Sequence, residues 1–453
     1  MYRAKIEELK TWKKAGTRKP LIVRGARQVG KTWLLKEFGR TEYKNYAYIN
    51  LEQDRRGEVI FSGNLNPRDI IAQLELISGE KISPDETLII LDEIQEVPRA
   101  LTSLKYFYEQ APEYHVVASG SLLGLALHEG TSFPVGKVEF LDIFPMTFSE
   151  FLIALGKKNY AELLKTPKSP LLSTIHDELL LRLKSYFIIG GMPEVVQNYL
   201  DNRDFLAVRK IQKNILSAYE NDISKHAPAT QIPKILEVMR ILPAQLAREN
   251  RKFIFGMLKT GARAKDYETA IMWLEDVGIV RRVARTNSVN IPVSAYADKD
   301  AFKLFMLDTG LLGAEAGLEP ETIVSSPEFF QELKGAMAEE FVFQQLVAAG
   351  EVPFYYSKDD SRGEIDFILS GARSVLPIEV KSGKNTSSAS LRAFLERFPE
   401  VPRAMKFSTL ENRVEKTGET DSSGDGMDNR IINLALYEAG AGDLLQDFMG
   451  GLA

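Results

Sequence analysis

The chain has 453 residues, 44% of them hydrophobic and 26% charged, with a formal net charge of −5 and no cysteine. That composition is of the ordinary globular kind and excludes disulfides and cysteine-ligated metal sites; a reducing compartment, the cytoplasm, is the expected setting. No apolar run reaches the roughly 18 residues of a membrane span and no signal-peptide core is found, so no membrane partner is expected. Four scattered histidines, His115, His128, His176 and His226, argue against a histidine-rich metal site.

Charge is unevenly spread. Residues 1–44 hold 13 Lys/Arg against 4 Asp/Glu, and residues 248–285 hold 9 against 5. Local basic faces bind polyanions even on an acidic protein, and a solvated surface has the same composition.

Residues 1–19 read as a basic amphipathic helix. Leu21-Ile22-Val23-Arg24 is then a short strand, followed by Gly25-Ala26-Arg27-Gln28-Val29-Gly30-Lys31-Thr32 and a helix beginning at Trp33. Strand, Gly-x4-Gly-Lys-Thr and helix in that order form the context of a phosphate-binding loop. Its backbone N–H groups and the helix N-terminus face phosphate, Lys31 reaches the β/γ-phosphates and Thr32 offers a hydroxyl to Mg²⁺. The expected cofactor-binding set is residues Gly25 to Trp33 together with Ser119.

A second strand is expected at Asn45–Leu51 and a helix at Pro67–Ile77 capped by Asn66. Thr87–Gln95 is a continuous apolar run ending in carboxylates, the pattern of a strand buried on both faces of a parallel sheet. Asp92, at the strand's carboxyl end, can hold Mg²⁺ through water, and Glu93 can orient and deprotonate an attacking water. After a helix at Pro98–Glu109, His115–Ser121 reads as another core strand. Ser119 or Ser121 at its end could sense a γ-phosphate or merely cap the turn.

The combination of Gly25–Thr32, Leu91-Asp92-Glu93-Ile94-Gln95, Ser119-Gly120-Ser121 and Pro145-Met146-Thr147-Phe148-Ser149-Glu150-Phe151 resembles a prokaryotic AAA-like P-loop ATPase family. Its members carry a C-terminal domain of unknown function. The resemblance implies ATP and Mg²⁺ as cofactors. Lys137 stands where such proteins often have arginine, which leaves Arg27, Arg99 and Lys137 as arginine-finger candidates.

Residues 156–220 read as interrupted helices. The turn Gly190-Gly191-Met192-Pro193-Glu194 and the segment Phe302–Leu312 match the family, and no chemistry follows from either. Helices at Ile232–Leu246 and Lys265–Val277, then a basic turn and strand, resemble a winged helix, in which Arg263, Lys265, Arg281, Arg282 and Arg285 would face phosphate. A winged helix used only for packing reads the same way.

A second constellation lies in the last third. Glu339 is placed on a helix, Glu364–Leu369 and Leu376–Lys381 are strands, and alternation puts Glu379 and Lys381 on one face. Asp366 followed by Glu379-x-Lys381, with the helical Glu339, resembles a restriction-endonuclease-like core. There the carboxylates Glu339, Asp366 and Glu379 would hold Mg²⁺, and Lys381 would stabilise negative charge. Residues 411–430 read as a flexible loop and Arg430–Tyr437 as a terminal strand.

The expected fold is thus α/β: an ATPase core at 1–155 with a parallel sheet, a helical connector at 156–220, a winged helix at 221–300 and an endonuclease-like domain at 301–453. Two functions compete. One is an Mg²⁺-dependent ATPase coupled to DNA processing, with Lys31 and Glu93 serving ATP and Asp366, Glu379 and Lys381 serving the nuclease. The other is a nucleotide-dependent regulatory or DNA-binding switch whose nuclease fold is inactive. ATP and DNA are the expected partners, and self-association into a homo-oligomer is left open.

Overall fold

The computed structural model describes residues 1–124, 133–167, 169–248, 252–320, 331–358, 363–382, 387–410 and 430–440. It divides into two compact units, residues 1–145 with 273–279, and the remainder. The loop expected at 411–430 and His128 lie outside the described residues, Arg430 excepted.

The first unit is a parallel sheet wrapped by helices. Its strands are β1 (Leu21–Arg24), β2 (Asn45–Asn50), β3 (Thr87–Asp92), β4 (His115–Gly120) and β5 (Glu139–Asp142), ordered β2-β3-β4-β1-β5. Every pairing is parallel. All six residues of β3 and all six of β4 are buried, as strands covered on both faces must be. Helices Lys31–Glu42, Pro67–Ser78 and Pro98–Gln110 make the crossovers. Asn66 caps the second by accepting the Arg68 N–H at 2.9 Å, and Pro67 occupies its first turn, where no N–H is needed. Phe61, Ile70, Leu74, Leu91, Leu101 and Leu104 fill the core between helices and sheet.

The second unit begins with helices, among them His176–Ile189, Phe205–His226 and Ile232–Leu246. A seven-stranded sheet follows: β6 (Val280–Thr286), β7 (Ala297–Met306), β8 (Phe354–Ser357), β9 (Glu364–Ser370), β10 (Val375–Lys381), β11 (Ala404–Ser408) and β12 (Ile431–Ala435), ordered β12-β11-β10-β9-β8-β6-β7. The hairpin expected as a wing is therefore β6–β7 of this sheet. Arg285 and Thr286 of β6 pair with Tyr355 and Tyr356 of β8, so the strand's second edge is satisfied by the C-terminal sheet. A division at residue 300 falls inside β7, one at 220 falls inside Phe205–His226, and the helix Phe148–Ala154 groups with the second unit although the ATPase core was expected to run to 155.

The two motifs without assigned chemistry meet in a buried knot of this unit. Asp308 is fully buried and accepts from the Gly191 N–H at 2.6 Å, the Leu311 N–H at 3.0 Å and Gln344 Nε2 at 3.3 Å. Gln344 also donates to the Tyr186 hydroxyl at 3.0 Å, and Tyr186 donates to the Met146 carbonyl. A Cβ on Gly190 would stand 2.1 Å from Asp308 Oδ1, so the motif needs glycine there because a carboxylate fills the space. The segment expected as strand and turn is β7 followed by a short helix, Thr309–Glu315, which Asp308 caps.

Burial pushes the Asp308 carboxyl up to about 6 from its ordinary 3.8, against the pull of its N–H donors. Glu340, equally buried and beside Asp308, is raised well above its ordinary value. Both native groups hold protons more tightly than the unfolded chain does. Stability should therefore fall as pH rises through the window from about 4 to about 6, by on the order of 2–3 kcal/mol from Asp308. Denaturant unfolding across that window, compared with Asp308→Asn, checks this: the variant should lose that component of the slope.

Candidate functional site

The phosphate-loop sequence folds as a tight curve from the end of β1 to the helix Lys31–Glu42. Gly25 (φ 148°) passes so close to the β5 connection that a Cβ would lie 2.2 Å from the Ile143 carbonyl. Gly30 (φ 91°) and Gln28 (φ 67°) are also left-handed. Glycine takes that conformation freely, whereas Gln28 carries local strain there. Arg3, itself buried, braces the loop by donating to the Val29 carbonyl at 2.7 Å and the Phe144 carbonyl at 2.5 Å. Trp33 is 41% exposed on the first turn of the helix.

Lys31 closes this loop on itself. Its Nζ donates to the carbonyls of Gly25 and Ala26, both at 2.8 Å, and the side chain is buried. Desolvation brings the ammonium down to about 8; Glu93 and Asp92 hold it up, and Arg27 works against them. An ammonium whose hydrogen bonds go to two carbonyls and to no anion is poised for an incoming anion.

Asp92 is the centre of the opposite wall. The sheet order puts β4 between β1 and β3, so the loop and Asp92 start two strands apart, about 10 Å. Side chains close that distance. Thr32 Oγ1 donates to Asp92 Oδ2 at 2.8 Å, the Tyr48 hydroxyl to the same oxygen at 2.9 Å, and Ser119 Oγ to Oδ1 at 2.5 Å. The Glu93 N–H adds a longer bond of 3.2 Å to Oδ1. Ser119 is thus fully buried and directed at Asp92. Hydroxyl and carboxylate together are the oxygen donors a Mg²⁺ ion takes, so Thr32 and Asp92 fit that ion chemically.

Glu93 lies beside them in a left-handed conformation (φ 52°). Its Oε2 accepts from Gln95 Nε2 at 2.7 Å and from Ser121 Oγ at 3.0 Å. Arg27 Nε reaches Ser121 Oγ at 3.4 Å, which ties the loop to the Glu93 group. The sequence reading missed Arg3, Tyr48 and Gln95 as parts of this site. Of these, Gln95 carried a signal, since it closes the motif Leu91–Gln95; Tyr48 sits near Asp92 through the β2–β3 register, in which Asn50 pairs with Asp92.

Of the arginine-finger candidates, Arg99 donates to the carbonyls of Phe61 at 2.6 Å and Gly63 at 2.7 Å, holding two helical segments together. Lys137 pairs with Glu109 at 3.1 Å. The basic strand is likewise internally engaged: Arg282 pairs with Glu268 and Arg285 with Asp298, each at 2.7 Å. These pairs hold two of the arginines that were expected to face phosphate.

The C-terminal constellation departs from the expected three-carboxylate metal site. Asp366 Oδ2 accepts the Val380 N–H at 2.7 Å, and Glu379 pairs with Lys381 at 2.6 Å. Burial raises Glu379, with Lys381 opposing and Asp366 reinforcing the shift. Glu339 and Asp366 face a cation the sequence did not single out, the fully buried Lys303 of β7, whose Nζ lies 3.6 Å from Glu339, 2.5 Å from Glu364 and 3.9 Å from Asp366. Among the described residues, no group of three or more His, Asp or Glu side chains is disposed to hold a metal ion.

Three stretches of the chain match family models. Residues 17–152 match the family model described as an AAA domain. Residues 180–322 and 334–435 match two models described as domains of unknown function, DUF8612 and DUF4143. No curated protein matches the chain. Among solved structures it is similar to a Walker-type ATPase of Pyrococcus abyssi, at 15% identity and a TM-score of 0.43 over 69% of this chain and 95% of that one. It is also similar to the ORC2 protein of Aeropyrum pernix in its ADPNP–ADP complexes, at 16% identity and a TM-score of 0.36 over 72% and 96%. By the family models the chain carries an AAA domain at residues 17–152, followed by two domains of unknown function at 180–322 and 334–435.

Proposed function

We propose that the protein binds ATP with Mg²⁺ at the loop Gly25–Thr32 and hydrolyses it, serving as a nucleotide-driven switch. The observation that carries the reading is the convergence of Lys31, Thr32, Asp92 and Glu93 at the carboxyl ends of β1 and β3, where open parallel sheets bind ligands. In this reading Lys31 leaves the Gly25 and Ala26 carbonyls for phosphate oxygens. Thr32 and Asp92 hold the metal ion, which neutralises charge on those oxygens when bound. Glu93 orients the attacking water and accepts its proton, with Gln95 and Ser121 fixing the carboxylate's direction.

For the rest of the chain the switch reading is favoured over metal-dependent DNA cleavage. Lys303 pairs with the C-terminal carboxylates Glu339, Glu364 and Asp366, and the pairs Arg282–Glu268 and Arg285–Asp298 use up part of the basic face a DNA backbone would need. A DNA contact through that face would first have to break those pairs.

Glu93→Gln should leave nucleotide affinity near that of the wild type and lower turnover roughly 10²–10⁴-fold, the usual worth of a general base. Lys31→Ala should lose affinity as well. Binding by fluorescent-nucleotide titration and turnover by phosphate release separate the two; wild-type turnover in the Glu93→Gln protein would remove Glu93 from its role.

Affinity should also depend on pH. The free-state Lys31 titrates at about 8, and a phosphate partner raises it, so the complex holds a proton that the free protein loses above that pH. Affinity should be flat below about pH 8 and fall above it, approaching tenfold per pH unit, as titrations from pH 7 to 9.5 would register.

A further inference from the structure

The residue that organises the C-terminal carboxylates comes from outside the sequence motif. Lys303 lies on β7, the edge strand of the seven-stranded sheet, paired with Val283 of β6. Its side chain is fully buried, and its Nζ is directed along the sheet toward Glu364 and Asp366 of β9 and Glu339 of the helix Gln331–Ala348. The Tyr355 ring lies 5.1 Å beneath the ammonium. None of the Nζ contacts with these carboxylates has sound hydrogen-bond geometry, so the ammonium acts among them as a compact charge rather than as a directed donor. The neighbouring Glu379 is 2% exposed, and its Oε2 has no hydrogen-bond partner.

Three carboxylates, one from a helix and two from a strand, face a single cation; they are not disposed to hold a metal ion as they stand, and a lysine ammonium occupies the space among them. We infer that Lys303 is the resident cation of this cluster and bars Mg²⁺ or Mn²⁺ from it. Two like charges cannot share so small a buried space, so a divalent ion enters only when the ammonium is withdrawn or removed. The C-terminal sheet is on this account metal-free in the native chain and latent as a divalent site. The claim is independent of the ATPase reading.

The test uses the full-length protein without nucleotide, with Mn²⁺ as the probe and bound ion counted by electron paramagnetic resonance. Wild type should bind no Mn²⁺ that depends on Asp366, as comparison with Asp366→Asn shows. Lys303→Ala should gain one site that the double variant Lys303→Ala/Asp366→Asn lacks. Lys303→Arg, which keeps the positive charge, should bind none. If Lys303→Ala is too unstable to purify in the apo form, Mn²⁺ should raise its melting temperature in cell extract, with no such rise for the double variant. A wild-type site abolished by Asp366→Asn would overturn the inference. So would a folded Lys303→Ala protein that binds no Mn²⁺, or an unstable one that Mn²⁺ does not rescue, because the cluster would then have no capacity for a metal.

Discussion

The first unit depends on one carboxylate that accepts hydrogen bonds from four directions. Asp92 takes Thr32 from the loop helix, Tyr48 from β2, Ser119 from β4 and the N–H of its own neighbour Glu93. Placed 2% exposed at the end of a strand buried along its whole length, a bare carboxylate would be costly. Each donor offsets part of that cost, and together they fix the spacing of elements that the backbone ladder leaves two strands apart. The same bonds place Thr32 and Glu93, so the stability of the sheet's carboxyl edge and the geometry of the candidate site have one origin.

The second unit handles buried charge in two further ways. At Asp308 the partners are neutral, backbone N–H groups and Gln344, and the carboxyl is driven toward its protonated form. At Glu339, Glu364 and Asp366 the partner is a lysine from another strand. The first device joins the Gly190–Gly191 turn, the Thr309–Glu315 helix and the helix bearing Gln344. The second ties β7 to β9 and to the helix Gln331–Ala348. A buried ion pair is weak evidence for stability, and its better-attested use is to specify which segments meet.

The sheet core was legible because its signals are local. Gly25–Thr32 states its own turn and helix, the apolar run Thr87–Leu91 states a doubly covered strand, and Asn66–Pro67 states a helix start. Asp92 and Glu93 follow from their position at the end of that run. What was not legible is non-local. Lys303 looks like one polar residue in an apolar strand, and only the register of β6, β8 and β9 brings it to the carboxylates. The hairpin β6–β7 has the composition of a wing, but pairing with β8 across nearly 70 residues of chain makes it part of a larger sheet. Gly190 and Gly191 announced a close approach without saying to what, because Asp308 lies more than a hundred residues away.

The central claim is that Lys31 holds a preformed phosphate loop shut through the Gly25 and Ala26 carbonyls and is displaced by nucleotide. A crystal structure of the full chain with Mg²⁺ and a non-hydrolysable ATP analogue tests it most directly. The account predicts Lys31 Nζ on phosphate oxygens, both carbonyls released, and Thr32 Oγ1 turned from Asp92 toward the metal ion. A nucleotide bound elsewhere, with Lys31 still donating to Gly25 and Ala26, would contradict it.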